Sequence, residues 1–167
     1  MRAFLAISLV ATMLALTGTA AAQQPLDHER CGGKGGVTPE QQIDACATLV
    51  GSGQLSPQHL AGALNNRGSG YQRKQQYDRA IQDYDQAIRL NPNVAIAYYN
   101  RGLAYASKDQ YDHAIEDFDQ AIRLDPSYAK AFYNRGIAYR ALGQQARTVE
   151  DFAKARQLNP NLPPPPQ

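Results

Sequence analysis

The sequence predicts an all-α solenoid in which helix–turn–helix repeats stack behind an N-terminal capping helix. Three observations predict it. Asn-Arg-Gly recurs at 66–68, 100–102 and 134–136, each copy 34 residues after the last. Asp-Gln-Ala-Ile-Arg-Leu recurs at 85–90 and 119–124. Asn91-Pro92, Asp125-Pro126 and Asn159-Pro160 fall at one phase of the same period. Self-similarity at this period marks a repeat array, whose units bury their apolar faces against one another. The units are 61–94, 95–128 and 129–162, with no insertions between them.

Ahead of the array lies an address. Met1-Arg2 supplies a positive charge, Ala3 to Leu16 are apolar, and Thr17 to Ala22 give a small-residue exit with Ala20 and Ala22 at the A-x-A positions. That layout reads as a cleaved secretory signal over 1–22, with the mature chain starting at Gln23. The apolar run of 14 residues is shorter than the roughly 20 a spanning helix needs. No stable membrane insertion after cleavage is therefore expected. Both cysteines lie downstream, and an even count behind an export signal favours a Cys31–Cys46 disulfide. Closing that short loop is worth roughly 3 kcal/mol in the chain-entropy model. The Gly-rich stretch after Cys31 lacks the order of a phosphate-binding loop and reads as a flexible loop.

Residues 23–60 are expected to form an N-terminal loop and the capping helix. Ile43, Cys46, Ala47 and Val50 trace an amphipathic face after Thr38-Pro39, and Gly51 is its stop signal. Ser56-Pro57 then looks like the N-cap and first position of the next helix. Within the second unit, Tyr98, Gly102 and Tyr105 mark a first helix. Ala114, Ile115, Phe118, Ala121 and Ile122 mark a second, all at spacings of three and four. A turn near Asp109–Gln110 separates them, and Pro126 ends the pair. Gly68, Gly102 and Gly136 share one phase. A glycine costs a helix about 1 kcal/mol, so three in register imply close packing. Asp85–Arg89 and Asp119–Arg123 are expected as solvated i,i+4 pairs. At the end of the array, Gln145 and Arg156 stand where earlier units have Tyr and Ile, which would let the last helix face water. Residues 163–167 read as a Pro-rich tail with no fixed structure, the alternative being a polyproline II ligand for a partner.

These units resemble tetratricopeptide repeats. The second carries the pattern in full with Tyr98, Gly102, Tyr105, Ala114, Phe118, Ala121 and Pro126. The first has Leu64, Gly68, Tyr71, Ala80, Tyr84, Ala87 and Pro92. The third has Phe132, Gly136, Tyr139, Phe152, Ala155 and Pro160, with Thr148 in place of the first Ala. Arg67, Arg101 and Arg135 stand where the commonest pattern has Leu. The resemblance implies a right-handed α-solenoid that binds a protein or peptide on the concave face of its first helices. On that reading Asn66, Asn100 and Asn134 form a ladder along a peptide backbone, since a carboxamide both donates and accepts. Tyr99, Leu103, Lys130, Tyr133, Ile137 and Arg140 nearby would select side chains. The alternative is that the three Asn are structural and bond neighbouring helix ends. The family's carboxylate clamp maps to Asn65, Ser69, Asn100, Lys130 and Asn134, of which only Asn100 and Lys130 match.

Composition bounds what remains. The chain has 167 residues, 43% of them hydrophobic and 19% charged, with a formal net charge of +2. That balance provides no electrostatic footprint for nucleic acid, so none is expected as a partner. Net charge is +2 over 61–94, −3 over 95–128 and +4 over 129–162. The excess at the end reads as a solvated face. Two Cys and three scattered His do not make a metal set, and no cofactor motif is present. Neither Gly51-Ser52-Gly53 nor Gly68-Ser69-Gly70 is a nucleophile elbow, and no nucleophile–base pair stands out. The expectation is a non-catalytic adaptor, exported and periplasmic, with secretion as the alternative. The competing expectation is a structural subunit of an envelope assembly, docking through its convex face or its ends.

Overall fold

A computed structural model describes residues 26–165; the signal segment, the expected cut at Ala22 and the last two residues lie outside them. Every described element is helical. A first helix, α1, covers 26–31 of the described chain and ends at Cys31. It is followed by α2 (Pro39–Gly51), α3 (Pro57–Arg73), α4 (Tyr77–Leu90), α5 (Ala95–Ala106), α6 (Tyr111–Leu124), α7 (Ala129–Ala141) and α8 (Gln145–Leu158).

The helix ends follow the sequence signals. Thr38 caps α2 in a capping box with Gln41: its hydroxyl accepts from Gln41 N while the Gln41 side chain accepts from Thr38 N. Ser56 caps α3, with Pro57 in the first turn. Gln75, Asp109 and Gly143 occupy one phase of the repeat and turn the chain at positive φ, 59°, 59° and 72°. Asn91, Asp125 and Asn159 each leave the second helix extended. Their side-chain oxygens accept from the backbone N–H two residues on.

Helices pack as α3 with α4, α5 with α6 and α7 with α8, and each pair then leans on the next. The first helices of successive units also touch, α3 with α5 and α5 with α7, whereas α4 does not reach α6 nor α6 reach α8. The array is therefore closed on the first-helix side and splayed on the second-helix side, which makes the first helices its concave face. The glycines permit this pairing. A Cβ on Gly102 would sit 2.8 Å from the Phe118 ring, and one on Gly68 2.7 Å from the Tyr84 ring. Both rings are fully buried.

The N-terminal end is closed as expected by α2 and by a Cys31–Cys46 bridge, with Cα atoms 4.7 Å apart. Its buried face differs by one position from the expected one. Gln42, Ala45, Cys46 and Leu49 are buried, while Ile43 and Val50 are half-buried and Ala47 is exposed. The reason is a polar hub that an apolar pattern does not register. Buried Gln42 donates through Nε2 to the carbonyls of Cys31 (3.3 Å) and Asn66 (3.1 Å), and its Oε1 accepts from Arg73 (3.1 Å).

Candidate functional site

The concave face is held in shape by a charge ladder. Arg67 forks onto Asp83 with Nε–Oδ2 at 2.8 Å and Nη2–Oδ1 at 2.7 Å. Arg101 grips Asp117 in the same way, and Arg135 grips Asp151. The two later arginines also reach back one repeat, Arg101 to Asp85 and Arg135 to Asp119, each at 2.5 Å. The expected Asp85–Arg89 and Asp119–Arg123 pairs are thus replaced by contacts between repeats. Asp85 and Asp119 are half-buried rather than solvated, and Arg123 donates to Gln120 instead. A single half-buried bond to a guanidinium already fixed by its own aspartate outweighs an exposed i,i+4 pair.

Burial works against both members of the Arg101–Asp117 pair. It lifts the Asp117 carboxyl above the usual carboxylate range and opposes the guanidinium charge. Hydrogen bonds and attraction from Asp117 and Asp85 more than restore that charge. For Arg135, the Asp151 hydrogen bond is the leading cause of a raised pKa. Such a pair is costly to break on one side, which makes it a strict register device.

The three asparagines are graded rather than equivalent. Asn134 spends both amide N–H groups, on the Tyr99 hydroxyl (3.0 Å) and the Lys130 carbonyl (2.9 Å), and keeps only its oxygen. Asn100 donates once, to Asn65 Oδ1 at 3.0 Å. Asn66, half-buried, makes no side-chain hydrogen bond among the described residues, so its donors and acceptor are uncommitted there. Asn134 and Asn100 thus each bond one side chain of the preceding first helix, Asn134 bonds its own helix as well, and Asn66 does neither.

Asn66 opens onto a cavity of about 240 Å³ between the first and second repeats. Gln58, Asn65 and Asn91 supply further carboxamides there, and Val94, Ile96 and Ala97 supply apolar wall. Gly62 faces this space with nothing within 4 Å of a Cβ placed on it. Ile96 and Gly62 were missed by sequence reasoning; their signal is the helical phase four residues before Asn100 and Asn66.

The remaining expected residues divide between the face and the core. Leu103 and Ile137 are half-buried on the first helices, and Lys130 is exposed. Arg140 is half-buried. Tyr99 is buried, with its ring 4.8 Å from that of Tyr128 and 5.9 Å from that of Phe118, so it serves the junction more than the surface. Burial raises its phenol pKa against the lowering effect of the Asn134 bond. Tyr133 is half-buried and donates to the carbonyl of Pro164 at 3.2 Å.

Helices α3, α5 and α7 contain no Asp or Glu, whereas α4, α6 and α8 all do. The concave helices therefore carry only neutral and cationic side chains. A cationic segment would meet no counter-charge on them, and a neutral or acidic one would meet no repulsion.

Known proteins give the same picture. A sequence profile of the tetratricopeptide repeat matches residues 65–129, and a second matches 129–162. Comparison with curated proteins returned no match. Among solved structures, the crystal structure of MamA is similar with a TM-score of 0.71 and 27% identity, covering 85% of this chain and 79% of that one. The second repeat domain of human RPAP3, solved with the HSP70 peptide SGPTIEEVD, is 36% identical with a TM-score of 0.62. That likeness covers 64% of this chain and 89% of the human domain. The second repeat domain of Spaghetti (RPAP3), bound to the HSP90 peptide SRMEEVD, is 34% identical with a TM-score of 0.59, covering 67% and 99%. Profiles that together span more than half of the chain, on the units its helices follow, place it in the tetratricopeptide repeat family.

Proposed function

We propose that this chain is a non-catalytic adaptor of the cell envelope that holds an extended segment of a partner protein on its concave face. The observation that carries this reading is Asn66, a carboxamide with no side-chain partner among the described residues, beside a partly apolar cavity. A site of that kind pairs a peptide unit while accepting a small apolar side chain. The absence of acids on the concave helices favours a neutral or acidic segment. The peptide complexes of the similar RPAP3 domains support a peptide as ligand. Of the matching clamp residues, Asn100 is half committed to Asn65, so Lys130 is the cation left to meet an acidic group.

Export to the periplasm rests on the signal-like residues 1–22 together with the Cys31–Cys46 bridge, which persists in an oxidising compartment. The test is capture from envelope extract with native protein beside an Asn66→Ala/Ile96→Ala variant of matched thermal stability. A partner held through the cavity is lost from the variant. Each hydrogen bond of about 1 kcal/mol removes roughly fivefold in affinity. A partner held equally by both baits contradicts the reading and moves the interface to the convex face or the ends.

A further inference from the structure

The 34-residue register runs on past the third repeat. Leu162 falls at the phase of Val94 and Tyr128, and Pro165 at that of Ala97 and Ala131. Ala97 and Ala131 are buried where each next first helix meets the repeat before it. Consecutive prolines have no N–H groups for that helix, so the segment runs extended. It nevertheless lies against the third repeat, with Pro163 and Pro164 exposed and Pro165 half-buried. The Pro164 carbonyl accepts from the Tyr133 hydroxyl at 3.2 Å, and Pro165 is half-buried in a groove with Val149, Phe152, Ala153 and Arg156. The Tyr133 and Phe152 rings lie 5.4 Å apart and tilted by 53°, which forms an aromatic corner beside the groove. At the same phase one repeat earlier, the Tyr99 hydroxyl is bonded by Asn134 of the following helix.

From this we infer that the C-terminal face of the third repeat is a polyproline-binding site, occupied in cis by the chain's own segment from Pro163 to Pro165. The chemistry matches the ligand. An extended proline run is stiff before it binds, offers carbonyls without N–H groups, and docks on aromatic walls that carry a hydroxyl donor. A proline-rich segment of another protein enters only by displacing the tethered one, whose effective concentration is in the millimolar range. This site is separate from the Asn66 cavity and does not depend on the function proposed above.

The test uses NMR on three proteins: the native chain, a full-length Pro163→Gly/Pro164→Gly/Pro165→Gly/Pro166→Gly variant with an unchanged helical spectrum, and that variant with Tyr133→Phe added. The probe is the synthetic peptide LPPPPQ. In the native chain, nuclear Overhauser contacts join the Tyr133 ring to Pro164. In the glycine variant, the peptide shifts the signals of Tyr133, Val149 and Phe152, and binds at least about tenfold more tightly than to the native chain. Adding Tyr133→Phe weakens it about fivefold, the value of one hydrogen bond. Missing native contacts, equal binding to both proteins, or shifts only elsewhere overturn the inference. Contacts that cross between differently labelled copies also overturn it, because the occupant would then be a second chain.

Discussion

The junctions between consecutive repeats and the face behind the third repeat are built from the same sequence positions with opposite outcomes. At the junctions, Asp85 and Asp119 accept from the arginine of the next repeat, and Tyr99 is sealed beneath Tyr128. On the final face the corresponding residues are Ala153, which has no carboxylate to offer, and Tyr133, whose hydroxyl is bonded by a proline carbonyl. Gln145 and Arg156 there are exposed as expected, yet Val149 remains 59% exposed. The face is wetted and stripped of its ladder acceptor without becoming wholly polar. A position in a repeat is thus structural where a neighbour follows and available where none does.

The largest effect should come from breaking the ladder inside the array. Arg101→Ala leaves Asp117 buried beside Asp85 without a cation and should cost about 3 kcal/mol in urea unfolding. Removing Asp85 and Asp117 as well should recover much of that loss, because no carboxylate is then stranded. A cost under about 1 kcal/mol for the single change would mean that the ladder is not structural.

A collective effect follows with alkali. Burial raises the phenol pKa of Tyr84, Tyr99 and Tyr128 above the ordinary value near 10. A group whose folded pKa is raised contributes fully below its unfolded pKa and loses that contribution as pH climbs toward the folded one. Stability should therefore hold to about pH 10 and fall above it. Tyr99→Phe with Tyr128→Phe should flatten that fall at the second junction, which denaturation midpoints at successive pH values would reveal.

Smaller effects separate the repeats. Gly102→Ala should destabilise by about 1 kcal/mol, the net of overpacking against Phe118 and a gain in helix propensity. Gly136→Ala should cost less, because its nearest contact, the Phe152 ring, begins at 3.1 Å. The smallest contrast is the sharpest in logic. Asp119→Ala should cost about 1 kcal/mol, while Ala153→Asp should stay within about 0.5 kcal/mol, because Ala153 is exposed and no arginine of a following helix meets it among the described residues. Equal effects at these two positions would erase the distinction between junction and end.

The fold was legible because the period and its glycines and prolines repeat without interruption, so Thr38, Ser56, Gly102 and Pro126 each sit where the helix ends and crossings require. The site was less so. Arg67, Arg101 and Arg135 were visible as departures from Leu, and Asp83, Asp117 and Asp151 recur beside them, but periodicity alone does not say which charge meets which. Local pairing pointed Asp85 at Arg89, and only the stacking of helices brings Arg101 closer. Gln42 was unreadable because its partners, two backbone carbonyls and the Arg73 guanidinium, lie 11, 24 and 31 residues away. The grading of Asn66, Asn100 and Asn134 depends on the residue contributed by the preceding repeat, which a search for identical positions treats as equal.

Site-specific photocrosslinking tests the central claim, that the concave face around Asn66 holds the partner segment. A crosslinker is placed at Ile96, in the cavity wall, and separately at Glu116, exposed on a second helix. The account predicts a discrete partner adduct from position 96 that is lost when Asn66 is changed to Ala, and none from position 116. An adduct from 116 with none from 96 would contradict it.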